Sequence, residues 1–166
     1  QLFTAQIEAS LPTKKNCWKQ VIEQKIYNQA LVLEKYGHNS RYLEKISKEV
    51  KSDDSTNREG VAAKIYWKSL FGQDWNRDRF GDYPNNYLNY GYAILRAAMA
   101  RAIVGSGLLP TLGIHHHNKY DAYALADDLM EPYRPFIDDE VIEYINENPD
   151  TGKITMIFKN KIMQIL

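Results

Sequence analysis

The sequence lacks the features of secreted and membrane-bound proteins. Its 166 residues include one cysteine, Cys17, which excludes an intramolecular disulfide framework and indicates a reducing compartment. No apolar run reaches membrane-spanning length, and nothing resembles a signal peptide. Internal repeats and low-complexity tracts are also missing. These absences predict one globular cytoplasmic domain that makes no contact with a membrane.

The chain has no net charge, but its charges are unevenly distributed. Residues 1–120 hold 17 Lys and Arg against 11 Asp and Glu, whereas residues 121–150 hold ten Asp and Glu and a single basic residue, Arg134. Such blocks are compatible with a basic part that faces a polyanion and an acidic part that holds cations. Charge blocks alone nevertheless favour ordinary solvated surfaces.

Hydrophobic periodicity predicts an all-α, multi-helix fold. The predicted helices cover residues 16–36, 39–51, 58–71, 87–104, 121–130 and 135–146, with Asn16 as the first N-cap and Gly37 and Gly72 as stop signals. We interpret residues 1–14 as a linker remnant or short helix, and residues 148–166 as a turn and tail with at most a short strand near 153–158. Because the chain opens on Gln1 and closes without a stop signal, we expect 1–166 to be a single-domain fragment of a longer protein.

The stretch Gly113–Pro135, GIHHHNKYDAYALADDLMEPYRP, combines histidines with acids. His115, His116 and His117 are adjacent, so at most two can share a direction in an extended loop. The spacing is not the HExxH of zinc proteases. One histidine with two carboxylates suits Mg²⁺ or Mn²⁺ better than structural zinc. On the triplet alone, capping of the loop and helix start is the favoured interpretation.

The acidic part of this stretch contains Asp127, Asp128 and Glu131. Asp128 and Glu131 are three residues apart and so share a helix face. Acidic residues often line exposed helix faces, which makes the pattern weak by itself. Pro132 interrupts the helix and Arg134 follows closely, and an arginine beside a metal–carboxylate site can hold a phosphate.

A third candidate carboxylate is Glu59, at the first turn of a predicted helix. Taken alone, a favourable charge at a helix N-terminus is the preferred explanation for this residue. Gly60 beside it is a poor helix former. We therefore expect another backbone or a nucleic acid to approach closely there.

Four motifs in order then resemble one family. Arg58–Gly72, REGVAAKIYWKSLFG, resembles the EG-AA--Y---LFG signature of the CRISPR-associated spacer-acquisition integrases, the Cas-one family. Leu88–Leu95, LNYGYAIL, is similar to its core helix. Leu108–His116 is similar to its GL-P-LGIHH loop, and Leu125–Pro135 to its L--DLMEP-RP helix. The doubled histidine and the ADDLME run are most similar to the branch associated with type II systems.

The resemblance implies a site. The family's metal triad falls on Glu59, His116 and Glu131, which would hold Mg²⁺ or Mn²⁺, with His115 or His117 as alternatives for the histidine. Asp128 resembles a further family acid, which would contact the ligating side chains rather than the metal. Candidate contacts to DNA phosphates, for which plain surface charge is the alternative, are Arg58, Lys119 and Arg134.

The resemblance also implies a function: a metal-dependent DNA endonuclease and integrase of the bacterial cytoplasm. It would insert new spacers into a CRISPR array by attack of a DNA 3′-hydroxyl on repeat phosphodiesters. Implied partners are DNA, a second copy in a homodimer, and a small second CRISPR-associated protein. The family's N-terminal β domain is absent from this sequence, so we expect the chain alone to be catalytically incomplete. The alternatives are a metal-dependent nuclease or phosphohydrolase without integration activity, and a non-catalytic helical DNA-binding module.

Overall fold

The computed structural model describes residues 2–118, 120–149 and 152–165, and within these ranges the regular structure is helical, without strands. The α-helices are α1 (Leu2–Glu8), α2 (Leu11–Lys35), α3 (Arg41–Ser47), α4 (Arg58–Phe71), α5 (Asn85–Gly105), α6 (Ala124–Leu129), α7 (Arg134–Glu147) and α8 (Met156–Ile165). Short 3-10 turns lie at Ser52–Asp54 and Glu131–Tyr133. The prediction of an all-α fold is confirmed. None of the helices in the described ranges has the length and apolar character needed to cross a membrane.

Helix α2 begins earlier than predicted, so the proposed N-cap Asn16 is wrong. Ser10 caps the helix instead, because its hydroxyl accepts a hydrogen bond from the N–H of Thr13 at 3.3 Å. Pro12 is tolerated in the first turn, where its missing N–H has no helical partner to lose. The resulting helix is 25 residues long.

The strand predicted near 153–158 is also wrong, because helix α8 starts at Met156. The hydroxyl of Thr155 accepts from the N–H of Phe158 at 3.2 Å and so begins the helix. Phe158 and Ile162, one turn apart, are fully buried against α5 and α7. This four-residue spacing outweighs the alternating pattern of the preceding residues. The other predicted helices are present. Helix α4 has its predicted ends, whereas α3 stops at Ser47 rather than near Lys51.

The core consists of clusters on either side of α7. Helices α2, α3 and α4 pack around one of them, with Ile142 of α7. Helices α5, α7 and α8 form the second, and the C-terminal part of α5 packs on α6. Gly91 lets α5 approach α7 closely: a Cβ there would lie 2.4 Å from Cγ2 of Ile137.

Helix α2 lies at the centre of the molecule. It packs against α3, α4, α6 and α7, and also contacts both 3-10 turns. The N-terminus of α4 and the Glu131–Tyr133 turn thus come together over one face of α2, although they are far apart in sequence.

Candidate active site

Glu59 projects from a firmly capped helix start. The carboxylate of Asp54 accepts from the N–H groups of Arg58 and Glu59 at 2.8 and 3.0 Å. Asn57 adopts the left-handed conformation (φ 50°) and its side-chain oxygen accepts from the N–H of Gly60 at 3.1 Å. These bonds satisfy amide donors that a helix N-terminus leaves without partners. The backbone that carries Glu59 is therefore fixed.

Gly60 has a local explanation. A Cβ at this position would lie 2.7 Å from the side-chain oxygen of Asn57. The close neighbour within the protein is thus the helix cap rather than a second backbone, and the approach of a nucleic acid stays a prediction.

The side chain of Lys25, on α2, joins Glu59 to Glu131. Its ammonium nitrogen lies 2.5 Å from Oε1 of Glu59 and also contacts Oε2 of Glu131. The Lys25 side chain is 12% exposed and that of Glu131 is 8% exposed. Burial lowers the pKa of Lys25, but attraction to Glu131 and Glu59 outweighs it and the pKa is raised. None of the sequence motifs predicted a role for Lys25.

Arg134 is the second cation on Glu131. Its Nε lies 2.9 Å from Oε1 of Glu131, and its guanidinium lies over the ring of Tyr92, 4.5 Å from the centroid. Burial raises the pKa of Glu131, but the charges of Lys25 and then Arg134 outweigh it, so the pKa is lowered. Glu131 is therefore ionised in the folded protein at neutral pH.

Asp128 organises the histidine loop. Its side chain is fully buried and accepts from the N–H groups of Ile114 and His115 at 2.6 and 2.8 Å. Its Oδ1 lies 2.5 Å from Nδ1 of His116. A carboxylate can only accept, so Nδ1 carries the proton, and in neutral His116 the lone pair is on Nε2. Asp128 thus sets the ring nitrogen with which His116 can bind a cation.

The three histidines have different surroundings. The ring of His115 stacks on Trp18 at 4.3 Å between centroids, and its Nδ1 lies 3.3 Å from Asp53. The ring of His116 meets the same Trp18 edge-on at 5.9 Å. His117 is exposed. Of the three, His116 is held by the buried Asp128, one helical turn before Glu131.

The predicted metal ligands do not form a closed shell. Within the described parts of the chain, no three His, Cys, Asp or Glu side chains are grouped so that they could hold a metal ion. Glu59 and Glu131 meet at the Lys25 ammonium, and His116 does not join them there. Two carboxylates and an imidazole are nevertheless donor types that a divalent cation accepts, and here the two carboxylates converge on the Lys25 ammonium.

The predicted DNA-contacting residues have acidic neighbours. Arg58 forms an ion pair with Glu49 at 3.2 Å, and Arg134 binds Glu131 as described. Lys119 lies outside the described residues. Asp127 accepts hydrogen bonds from Nε and Nη2 of Arg96, at 2.6 and 2.5 Å. Asp127 therefore pairs with an arginine, whereas Asp128 binds the histidine loop.

This arrangement was compared with known proteins. The family model described as "CRISPR associated protein Cas1" matches residues 1–155. The chain belongs to the Cas1 family. The resemblance found from the four motifs is therefore confirmed at the level of the family, whereas the type II-like branch stays a prediction.

Curated Cas1 relatives match over most of the chain. A CRISPR-associated endonuclease Cas1 from Neisseria meningitidis serogroup C is 36% identical over 168 residues, which cover 100% of this chain and 55% of the relative. One from Saccharolobus solfataricus is 31% identical over 153 residues, covering 80% of this chain and 44% of the relative. The chain thus spans about half the length of these relatives.

Two solved structures share the fold. A casposase bound to integration product has a TM-score of 0.76 at 26% identity and matches 97% of this chain and 54% of that chain. A Cas1 protein from Thermotoga maritima has a TM-score of 0.82, covering 98% of this chain and 62% of that chain. Because the sequence identity to the Thermotoga maritima protein is 17%, this comparison shows a shared fold and nothing further.

Proposed function

We propose that this chain carries the active site of a metal-dependent DNA endonuclease and integrase that inserts spacers into a CRISPR array. In the proposed reaction a DNA 3′-hydroxyl attacks the phosphorus of a repeat phosphodiester. A new phosphodiester forms as the bond between that phosphorus and the 3′-oxygen of the repeat strand breaks, and this oxygen leaves as a 3′-hydroxyl. Glu59, His116 and Glu131 would hold Mg²⁺ or Mn²⁺. The observation that carries the proposal is the convergence of Glu59 and Glu131, from distant segments, on one positively charged atom.

The relatives support this class of reaction. The curated relatives are named CRISPR-associated endonucleases, and the casposase structure holds an integration product. At 26% identity over nearly all of this chain, the casposase supports strand transfer as the chemistry of the shared domain.

The residues of the chain have separable roles in this proposal. Asp128 accepts a hydrogen bond from Nδ1 of His116 and so leaves Nε2 as the ring nitrogen available to a metal ion. Lys25 and Arg134 contact Glu131 from two sides, and their charges lower the pKa of its carboxyl. A bound divalent cation would supply stabilisation of the negative charge that develops on the scissile phosphate. No side chain is required as a covalent nucleophile, because the attacking group is the 3′-hydroxyl of the incoming DNA.

The proposed partners are the incoming DNA fragment and the repeat DNA. We propose that the phosphates of both DNAs are contacted by Arg58, Lys119 and Arg134. Arg58 would then bind a phosphate in addition to Glu49, and Arg134 in addition to Glu131. We further propose a homodimer that assembles with a small second CRISPR-associated protein, as the resemblance implies.

Joining of DNA tests the proposal. Because the chain spans about half the length of its curated relatives, the assay uses the longest form of the protein that its gene encodes. A labelled fragment with a 3′-hydroxyl is incubated with repeat-containing DNA and Mn²⁺, and covalent products are separated by denaturing electrophoresis. Glu59→Gln, His116→Ala and Glu131→Gln are each expected to reduce joining to background. His117→Ala, an exposed neighbour in the same loop, is the matched control and is expected to join normally.

Two results would contradict the proposal in different ways. Cleavage of the DNA without joining, under conditions that supply the 3′-hydroxyl, would favour a nuclease. Normal joining by His116→Ala, with His115→Ala or His117→Ala inactive, would move the ligand to another histidine of the triplet.

A further inference from the structure

Lys25 is the least expected residue of the site. It belongs to the middle of α2, is nearly buried, and reaches two carboxylates that come from α4 and from the turn before α7. The buried Lys25 ammonium loses hydrogen bonds to water and gains two charge-assisted hydrogen bonds to carboxylates. These two bonds offset the cost of burying its charge.

The position of Lys25 is built into the fold. Three residues further along α2, Asn28 donates to the carbonyl oxygen of Pro132 at 2.7 Å, and its own side-chain oxygen accepts from Gln24 at 2.9 Å. Helix α2 thus binds the turn Glu131–Tyr133 at two adjacent points, through Asn28 to Pro132 and through Lys25 to Glu131. The ammonium is held at the convergence of the carboxylates by a fixed helix, whatever the conformation of the histidine loop.

We propose that Lys25 is a built-in cation that holds Glu59 and Glu131 in register before metal binding and that must withdraw when a divalent metal ion binds them. This inference rests on the proposed function, since it takes these two carboxylates as metal ligands. Lys25 is a positioning residue: it acts through Glu59 and Glu131, and it sets the affinity of the site for metal.

The physical reason is competition for the same oxygens. The Lys25 nitrogen lies at hydrogen-bond distance from both carboxylates, and a dication that binds the same oxygens would be repelled by an ammonium beside it. Metal binding therefore includes the cost of breaking two charged hydrogen bonds. Without the ammonium, the metal meets two carboxylates that repel each other, and among the described residues no other cation forms an ion pair with both.

Direct binding of Mn²⁺ tests the inference apart from activity. Isothermal titration of the purified protein with Mn²⁺ is compared for the wild type and Lys25→Met, and we expect the variant to bind Mn²⁺ at least about tenfold more tightly, which corresponds to about 1.4 kcal/mol. Its metal-free melting temperature should fall, and Mn²⁺ should raise that temperature more than in the wild type. Lys35→Met is the matched control, because Lys35 lies on the same helix and pairs with Asp139 outside the site.

A second measurement does not depend on a substitution. Lys25 of the wild type is modified with an amine-reactive reagent, and the extent of labelling is determined by mass spectrometry with and without Mn²⁺. We expect labelling of Lys25 to increase when Mn²⁺ is present, because the amine leaves the carboxylates, while labelling of Lys35 stays the same. If circular dichroism shows that Lys25→Met does not fold, the labelling of the wild-type protein alone tests whether Lys25 leaves the carboxylates when Mn²⁺ binds.

The outcomes separate the two proposals. Equal or weaker Mn²⁺ binding by folded Lys25→Met, or labelling of Lys25 that does not change with Mn²⁺, would overturn the role of Lys25 alone. Absence of Mn²⁺ binding by the wild type would overturn the proposed metal site and, with it, this inference. Loss of binding in Glu59→Gln and Glu131→Gln, with tighter binding in Lys25→Met, supports both.

Discussion

The carbonyl oxygen of His116 occupies the place where Gly113 would carry a side chain: a Cβ at Gly113 would lie 2.2 Å from that oxygen. The same Cβ would lie 2.9 Å from Oδ2 of Asp128. The loop can therefore fold back over Asp128 only with glycine at this position. Gly113 thus lets the backbone N–H groups of Ile114, His115 and His116 all donate to the buried carboxylate of Asp128.

Gly113→Ala should disrupt this loop. The contact with a carbonyl oxygen cannot be relieved by a rotamer change, so we expect a loss of about 2–3 kcal/mol in the free energy of unfolding, measured by urea denaturation, and loss of DNA joining. Gly105→Ala is the control: a Cβ at Gly105, the last residue of α5, meets nothing within 4 Å. That variant should be unchanged or more stable by up to about 1 kcal/mol. Equal stability of the two variants would contradict the tight turn.

Asp128→Asn should impair activity more than stability explains. The amide leaves fewer acceptor sites for the N–H groups of Ile114 and His115, and it no longer requires the proton of His116 to lie on Nδ1. We expect a loss of about 10–100-fold in the rate of joining, measured at saturating Mn²⁺. Asp127→Asn, which changes the partner of Arg96 instead, is the matched control. An equal loss in both variants would argue against a specific role of Asp128.

Gly91→Ala should destabilise the packing of α5 on α7. The added methyl would lie 2.4 Å from Cγ2 of Ile137, and the expected loss is about 1–3 kcal/mol in the free energy of unfolding. Ile137→Ala removes that atom and leaves a cavity. In the double variant the two changes should compensate, so its loss should be smaller than the sum of the single losses. Simple additivity in a double-mutant cycle would refute the contact.

Asp138 should make stability depend on pH. Burial raises its pKa to about 7, although the hydroxyls of Tyr92 and Tyr66 donate to it. In the unfolded chain the pKa is about 3.9. The folded state therefore binds the proton more tightly, and this contribution to stability is complete below about pH 4 and is lost as the pH rises through about 7.

The measurement is the free energy of unfolding between pH 5 and 8, determined by urea denaturation. Asp138→Asn should reduce the fall in stability with rising pH over this window. Asp139→Asn removes a carboxylate from the same helix that is paired with Lys35 near the surface, and it should keep most of the fall. If the free energy of unfolding of Asp138→Asn fell with pH as steeply as that of the wild type, Asp138 would not be the source of the pH dependence.

The sequence predicted the parts of the fold that depend on local signals. Helix α4 has its predicted ends, because Asn57 is a strong start residue and Gly72 is a strong stop residue. The predicted start of α2 and the predicted strand at 153–158 were wrong. Ser10 and Pro12 are local start signals that lie before the hydrophobic stripe of α2, so periodicity did not include them. The burial of Phe158 depends on α5 and α7, which local periodicity does not show.

For the candidate site, the sequence indicated the acids and the histidine but not their arrangement. The motifs selected Glu59, His116 and Glu131 without any measure of distance. Lys25 was missed because a lysine on a long helix usually lies in solvent. One signal was available: Lys25 lies between Ile22 and Ile26, both fully buried, which places it at the border of the inward face.

Helix α2 carries none of the proposed metal ligands, yet both carboxylates rest on it. A truncated protein that begins after Lys35 would keep Glu59, His116 and Glu131 and would lose the surface that brings the first and last of them together. The smallest unit able to form the site is therefore defined by a helix outside the recognised motifs. Domain boundaries chosen from those motifs alone would yield a protein with every ligand and no site.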